Sequence, residues 1–253
     1  METTEHIVAC HLGLSEYAPT WELQKMLQAR LIRAKRSEPQ EKIPHVMLLV
    51  EHPHVYTLGK SGDRGNLLAT EDELSETGAR FVQIDRGGDI TYHGPGQLVV
   101  YPILDMDYFY HDIHRYLRDL EEVVINTCGD FGVETTRVDG RTGVWIDPDG
   151  AGPARKICAM GIRCSRWVTM HGIGFNINTD LNRYNRIIPC GIQDGDVTSL
   201  AAEAPGPVSM AAATTGLLGH FSHQFNARIE HLDPAQAEAF LNTYLAPEAV
   251  PAR

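Results

Sequence analysis

The chain has 253 residues, of which 43% are hydrophobic and 22% are charged, as in an ordinary globular protein. A chain of this length buries about 70–75% of its unfolded surface, so we expect a single domain, 1–253, that needs no disulfide support. The net charge of −11 argues against a nucleic-acid partner, because neutralising phosphates requires a basic face. No apolar run reaches the ~20 residues of a membrane span, and the acidic start lacks the basic region of a signal peptide. We therefore expect a cytoplasmic protein with no membrane partner.

The first part of the chain predicts strands and one long helix. Apolar residues recur at helical spacing over 18–36, and the continuously apolar run 46–52 predicts a buried central strand. The polar segment HPHVYTLGKSGDRGN, 52–66, predicts an irregular loop. Further strands are predicted at 6–13, 80–85, 89–93 and 97–103.

The second part predicts another long helix, more strands and a helical end. Apolar residues at i, i+3, i+4 and i+7 predict a helix over 111–130 that packs one face on a sheet. The APGP segment, 204–207, is a candidate boundary for a small helical C-terminal part, 207–253. Strands are predicted at 133–138, 143–147, 155–163 and 167–178, and helices at 208–225 and 234–245. Because strands come first and helices last, the pattern favours the α+β class.

A basic cluster ends the first predicted helix. Its members are Arg30, Arg33, Lys35 and Arg36. Cations near a helix C-terminus interact favourably with the helix dipole, which explains the cluster without a partner. The alternative is a docking patch for an acidic protein.

The segment RGGDITYHGPGQL, Arg86 to Leu98, is the most distinctive stretch of the sequence. Its glycines, Gly87, Gly88, Gly94 and Gly96, let the backbone approach a ligand closely or adopt positive φ. It therefore predicts the wall of a ligand cleft rather than part of the core.

The five cysteines are an odd number without a C-x-x-C pair, which predicts reduced thiols. Cys190 in IIPCGI stands between a proline and a glycine, residues that break helices and strands, so we expect its thiol on an exposed turn. Cys10, Cys128 and Cys158 lie in strand-like or helical runs and fit the role of small buried side chains. Cys164, at the end of a predicted strand, fits either role.

A nucleophilic Cys190 needs a basic neighbour, because a free thiol is only a few per cent thiolate at neutral pH. Lys156 in RKICAMGIR is a candidate, since it lies in an otherwise apolar strand. The alternative is an outward-facing lysine whose ammonium reaches water. His93 and His171 each precede a glycine and are further candidates, with a hydrogen-bonded structural role as the alternative for both.

Motifs for metals and nucleotides are absent from the sequence. His111 and His114 are three residues apart on a predicted helix, but no third ligand accompanies them, so we expect a solvated helix face. His52 and His54 lie in the predicted loop without partners. Neither a P-loop nor a G-x-G-x-x-G motif follows a predicted strand. We expect no metal.

Four motifs in this order closely resemble the lipoyl(octanoyl) transferases: RGGDITYHGPGQLVVYPI, KICAMGIR, HGIGFNIN and IIPCGI. The preceding HPHVYTLGK is similar to a segment of the same family, so the resemblance covers residues 46–200. It implies a fold similar to the biotin and lipoate protein ligase catalytic domain, with a mixed or antiparallel sheet flanked by helices. It also implies transfer of an octanoyl or lipoyl group through a thioester on the enzyme, as the first step of endogenous protein lipoylation.

The resemblance also implies roles for particular residues and partners. Cys190 takes the place of the thioester nucleophile and Lys156 that of the residue that activates it. The implied donor is octanoyl-acyl carrier protein, and the implied acceptors are the lipoyl domains of 2-oxoacid dehydrogenases and the glycine cleavage H protein. No cofactor is implied. The implied substrate-binding residues are Arg86, Gly87, Gly88, Asp89, Ile90, Thr91, Tyr92, His93, Ala159, Met160, Gly161, His171, Gly172, Ile173 and Gly174.

Other functions remain open at this point. An ATP-dependent lipoate or biotin ligase shares the implied fold but has no need of a nucleophilic cysteine. Transfer of octanoyl between two lipoyl-bearing proteins needs a similar thioester and differs only in its donor. A binding or scaffolding domain has no reason to pair Lys156 with an exposed thiol, and a cysteine peptidase needs an Asn or Asp beside His93 or His171 that the sequence does not indicate.

Overall fold

A computed structural model describes residues 4–146, 154–188 and 196–246. In these residues the main sheet has the strand order β12-β1-β2-β6-β10-β9-β8-β7, with β11 paired to β9. The strands of the main sheet are β1 (Glu5–Leu14), β2 (His45–Glu51), β6 (Gln97–Ile103), β7 (Thr136–Val138), β8 (Arg141–Ile146), β9 (Arg155–Ser165), β10 (Val168–Asn176), β11 (Asp196–Val197) and β12 (Ala227–Leu232). A smaller sheet, β4-β3-β5, consists of β3 (Val55–Leu58), β4 (Arg80–Gln83) and β5 (Ile90–His93).

The main sheet is mixed. Strands β12, β1 and β2 are parallel to one another, whereas the pairs from β2 through β6, β10, β9 and β8 to β7 are antiparallel. The helices are α1 (Tyr17–Arg36), α2 (Glu71–Glu76), α3 (Ile113–Asp130), α4 (Leu200–Glu203), α5 (Met210–Gln224) and α6 (Pro234–Leu245). The predicted α+β class and mixed sheet are confirmed.

The two sheet faces bury separate apolar clusters. Helix α3 contributes Tyr116, Leu120 and Val123 to one cluster, where it packs beside α5. Helix α1 contributes Leu27 and Leu31 to the cluster on the opposite face, where α6 also packs. The helical spacing of these residues is the signal that predicted both helices, whose bounds are confirmed within two residues.

Two predictions for the chain's connections were wrong. Residues 52–66 are not wholly a loop, because Val55–Leu58 forms β3, with every side chain buried between β4 and β5. The flanking proline and glycines obscured a short run of β-branched and aromatic residues. The closing part of the chain is not only helical, since β12 extends the sheet by pairing with β1. Its alternation was missed because its side chains are mostly exposed.

The basic cluster at the end of α1 is partly engaged within the chain. Arg30 donates two hydrogen bonds to the carboxylate of Glu41, at 2.8 and 2.6 Å. The Lys35 ammonium lies 2.7 Å from the carboxylate of Asp105 and donates to the carbonyl of Arg166 at 3.1 Å. These contacts account for two of the four cations without a docking partner.

Replacing Lys35 by methionine is expected to destabilise the fold by about 3 kcal/mol, because it leaves the buried Asp105 carboxylate unpaired. Urea unfolding measures the loss. The double variant Lys35→Met, Asp105→Asn removes the buried charge as well, so it should recover part of that stability. Equal stability of the single variant and the unmodified protein would contradict this account of the pair.

No helix among the described residues is long and apolar enough to cross a membrane.

Candidate active site

A cavity of about 730 Å³ opens beside β9 and collects almost every residue predicted for the site. Its lining includes Lys156 together with Arg86, Gly87, Gly88, Asp89, Ile90, Thr91, His93, Ala159, Met160, Gly161, His171, Gly172, Ile173 and Gly174. Two parts of the chain that are far apart in sequence meet there: the glycine-rich segment and the hairpin of β9 and β10. The fold therefore brings the separate motifs to one place.

Tyr92 is the predicted substrate-binding residue that does not line this cavity. Its ring packs between Tyr56 and Tyr184, with ring centroids 5.3 Å away in both cases. Its hydroxyl forms a 2.7 Å hydrogen bond with Nδ1 of His54. The side chain thus belongs to the core of the small sheet, which supports His93 next to it in β5.

Arg86 organises the glycine loop, residues 86–89, that covers one side of the cavity. Its guanidinium donates to the backbone carbonyls of Gly87 and Asp89, both at 2.8 Å, and to that of Thr57 at 3.1 Å. The Gly87 N–H donates to the carbonyl of Ile162 on β9 at 3.0 Å. The loop is therefore held in place by buried hydrogen bonds rather than by side-chain packing.

Gly161 allows this loop to lie directly on β9. A Cβ atom there would be 2.8 Å from the carbonyl oxygen of Gly87 and 3.0 Å from Cδ of Arg86. Contacts this short are not tolerated, so any side chain would push the loop away from the strand. The close approach therefore requires glycine at this position.

Asp85 ties the start of the glycine loop to three other elements. Its carboxylate accepts hydrogen bonds from Trp21 Nε1 on α1 at 3.2 Å and from His171 Nε2 on β10 at 3.0 Å, and it pairs with Arg163 on β9. Burial raises the pKa of the carboxyl, but hydrogen bonding from His171 and the charge of Arg163 outweigh it, so the net pKa is lowered. His171 has a positive φ of 60°, a conformation uncommon outside glycine that this contact helps to hold.

Histidine and tyrosine rings form the innermost wall of the cavity. His93 Nδ1 donates to the side-chain oxygen of Gln97 at 2.6 Å. Tyr101 donates to Nε2 of His52 at 2.9 Å, because Nδ1 of His52 already donates to the carbonyl of Ser15 at 2.6 Å. These polar atoms are thus engaged with the protein, whereas the buried Nδ1 of His171 has no hydrogen-bond partner among the described residues.

Burial keeps His93 and His171 of this wall uncharged, together with His52, which adjoins the wall without lining the cavity. Loss of hydration lowers the pKa of His93 to about 3 and those of His52 and His171 to about 4, although a hydrogen bond opposes the shift in each case. The unfolded chain therefore binds protons near pH 6.5 that the folded chain does not. The stability that comes from keeping these rings neutral is complete above that pH and is lost as the pH falls toward about 4.

We expect the free energy of unfolding to fall between pH 7 and pH 5 by on the order of 1–2 kcal/mol for each such histidine. Urea unfolding at the two pH values measures this. Replacing His52 by glutamine should flatten the pH dependence, while the same change at the exposed His114 should leave it as it is. A pH dependence untouched by His52→Gln would contradict the assignment.

Lys156 is buried in the cavity wall, with 8% of its surface exposed. Its ammonium lies 4.5 Å from the ring centroid of Trp145 on β8. A Cβ atom added at Gly143, also on β8, would lie 3.5 Å from Cε of Lys156. The N–H of Gly143 donates to the carboxylate of Glu121 at 2.8 Å. The alternative of a lysine that reaches out to water does not fit this placement.

Cys190 lies outside the described residues, as does its distance from Lys156. The chain on both sides of it adjoins the cavity. The Ile188 N–H donates to the carbonyl of Asn66, whose side-chain amide bonds to Asp89 of the glycine loop. Val197 is the strand neighbour of Lys156.

The remaining cysteines differ from a reactive thiol. Cys10, Cys128 and Cys158 are fully buried, and burial raises the pKa of each, to about 12 for the first two. They fill the core as predicted. Cys164 is partly exposed, and burial also raises its pKa.

The predicted solvated histidines have ordinary surface contacts. His111 bonds to the carboxylate of Asp107 at 2.7 Å and stacks on Trp167, with ring centroids 4.4 Å apart. Within the described residues, no group of three or more histidine, cysteine or acidic side chains is arranged to hold a metal ion.

Several cavity residues were not found from the sequence. They come from α1, β6, α3 and the start of β8, and include Tyr17, Tyr101, Ile113, Leu117 and Thr142. Their spacing is that of ordinary core or surface positions. Only the packing of the helices beside β9 and β10 shows that they face a ligand.

The chain was compared with known proteins. The family model for the lipoyl protein ligase A/B catalytic domain matches residues 16–222. The octanoyltransferase of Cytophaga hutchinsonii is 47% identical over 90% of this chain and 96% of its own length. That of Christiangramia forsetii is 50% identical over 87% and 96%, respectively. Among solved structures, a lipoate-protein ligase A bound with ATP has a TM-score of 0.66 at 14% identity, covering 97% of this chain and 98% of its own.

The chain therefore belongs to the lipoyl protein ligase A/B catalytic-domain family, and it has the fold of a lipoate-protein ligase. Its curated relatives over nearly the whole length are octanoyltransferases. The protein is accordingly a member of the octanoyltransferases, a group of acyltransferases.

Proposed function

We propose that this protein transfers an octanoyl or lipoyl group from acyl carrier protein to a specific lysine of lipoyl domains, through a thioester on Cys190. The acceptors are the lipoyl domains of 2-oxoacid dehydrogenases and the glycine cleavage H protein, and the reaction takes place in the cytoplasm without a cofactor. The observation that carries the proposal is Lys156, buried in the wall of a cavity roofed by the glycine loop. The chain's membership of the octanoyltransferases supports the acyl group.

The first displacement loads the enzyme. The thiol proton of Cys190 passes to the amine of Lys156, and the thiolate attacks the carbonyl carbon of the donor thioester. A bond forms between that carbon and Cys190 Sγ, and the bond to the donor sulfur breaks. The leaving sulfur takes the proton back from Lys156, so the donor departs as a free thiol.

The second displacement delivers the acyl group. The amine of the target lysine attacks the Cys190 thioester and forms an amide bond while the bond to Sγ breaks. The proton lost by the amine passes through Lys156 to the departing cysteine. Enzyme and thiol are restored, and no step consumes ATP.

The test is a reconstituted reaction that contains the protein, octanoyl-acyl carrier protein and an isolated lipoyl domain. Mass spectrometry should show the domain gaining one octanoyl group without ATP. Replacing the carrier donor with octanoate plus ATP should give no product. Modification only with octanoate and ATP would instead identify a ligase, and modification only from a second octanoylated lipoyl domain would identify the transfer between lipoyl proteins.

A further inference from the structure

The residues that line the cavity form two groups on opposite faces of the main sheet. One group, the closed lobe, consists of Tyr17, Arg86, His93, Tyr101 and His171, on the side of α1 and the glycine loop. The other, the open lobe, consists of Ile113, Leu117, Arg141, Thr142 and Met160, on the side of α3. The two lobes form one cavity that passes the edge of β9.

The lobes differ in exposure. Every member of the closed lobe is at most 9% exposed, and its histidines are uncharged at neutral pH. Every member of the open lobe is partly exposed. Apart from the Arg86 guanidinium, which is hydrogen-bonded to backbone carbonyls, the closed lobe consists of neutral rings. Such a lobe suits an alkyl chain, whose burial from water is favourable. A partly exposed lobe suits a group that remains covalently attached to a part of the ligand outside the cavity.

The edge of β9 between the lobes offers backbone groups to a ligand. On that side, β8 pairs with β9 only as far as Cys158, and the glycine loop meets it at Ile162. No described strand pairs with residues 159–161 on this side. The peptide groups along such an edge can hydrogen-bond to amides of an extended ligand.

A thioester has two arms that leave one carbonyl carbon in different directions. Lys156 lines the cavity beside the open lobe, close to the Gly143 backbone that follows Thr142. If the acyl arm occupies the closed lobe, whose named side chains are buried, the sulfur arm leaves through the open lobe, whose side chains are partly exposed.

We propose that the open lobe binds the thiol arm of the donor, an extended amide-bearing arm of the pantetheine type. Its apolar members, Ile113, Leu117 and Met160, contact the methylene and methyl groups of the arm, while the free edge of β9 bonds to the arm's amides. This inference rests on the proposed function, since it assigns a place to one part of that reaction's donor.

The experiment compares two octanoyl donors. One is S-octanoyl pantetheine, which has the arm, and the other is the methyl thioester of octanoic acid, which lacks it. Leu117→Trp fills the open lobe with an indole. It should lower about tenfold the preference for S-octanoyl pantetheine, measured as its kcat/KM divided by that of the methyl thioester. Met26→Trp adds the same indole on an exposed position of α1 outside the cavity and should leave the ratio as in the unmodified protein.

Leu117→Ala is a second variant of the same residue, and it keeps the test valid if Leu117→Trp does not fold. It enlarges the lobe, and it should also lower the ratio, because the arm loses apolar contact. If Leu117→Trp and Leu117→Ala slow both donors equally, or change the preferred acyl length instead, the open lobe holds the acyl chain and the inference is overturned. The proposed function fails separately if octanoyl-acyl carrier protein gives no transfer to the lipoyl domain in the reconstituted reaction. If that transfer occurs and neither Leu117 variant changes the ratio, only this inference fails.

Discussion

Replacing Lys156 by methionine is expected to slow octanoyl transfer by about 10²- to 10⁴-fold, the range contributed by a positioned proton-transfer group. Methionine has a similar length and keeps the contact with Trp145, so the cavity wall should remain in place. The variant removes the amine that accepts the Cys190 proton in the proposed mechanism. Single-turnover loading from octanoyl-acyl carrier protein measures the effect.

Lys25 provides a matched control, because its ammonium also lies over a tryptophan ring, 4.1 Å from the centroid of Trp21. Lys25→Met removes a lysine with the same type of contact outside the cavity lining. It should leave loading within about twofold of the unmodified rate. Similar losses in the two variants, or no loss at Lys156, would show that Lys156 has no part in proton transfer.

Replacing Arg86 by methionine is expected to destabilise the protein by about 3 kcal/mol, because it removes the hydrogen bonds from the guanidinium to the carbonyls of Thr57, Gly87 and Asp89. It should also reduce transfer at least about 100-fold, since the roof of the cavity no longer holds the acyl group in register. Urea unfolding and the transfer assay measure the two effects.

Arg86→Lys separates geometry from charge. A lysine keeps the cation but cannot reproduce the planar fork that reaches three carbonyls at once. Transfer should therefore remain strongly reduced, while stability recovers only in part. Full activity of Arg86→Lys would mean that the loop needs a positive charge there and not the hydrogen bonds of a guanidinium.

The sequence alone predicts the parts of the fold in which local pattern and tertiary environment agree. Helix α3 has an apolar stripe that matches the face it buries, and the two runs predicted as strands at 155–163 and 167–178 form the antiparallel pair β9 and β10. Strand β3 escaped prediction because four buried residues are too few to show a period between a proline and a glycine. Strand β12 escaped it because an edge strand with exposed side chains lacks the alternation of a buried one.

The candidate site was predictable where glycines mark close backbone approach. Gly161 and the glycine loop are examples, since only glycine permits their contact. Contacts between side chains that are far apart in sequence are not indicated by any local sequence pattern. The hydrogen bond of Asp85 to His171 and the position of Leu117 in the cavity depend on how α1 and α3 pack on the sheet, which no local pattern records.

The most direct test of the account is to locate the acyl group on the enzyme. The protein is mixed with octanoyl-acyl carrier protein, quenched in acid, digested and mapped by mass spectrometry. The account predicts one octanoyl group on the peptide that contains Cys190, its loss in Cys190→Ala, and its transfer to a lipoyl domain added before the quench. Transfer that proceeds at the full rate in Cys190→Ala, or an acyl group that maps to another residue, would contradict it.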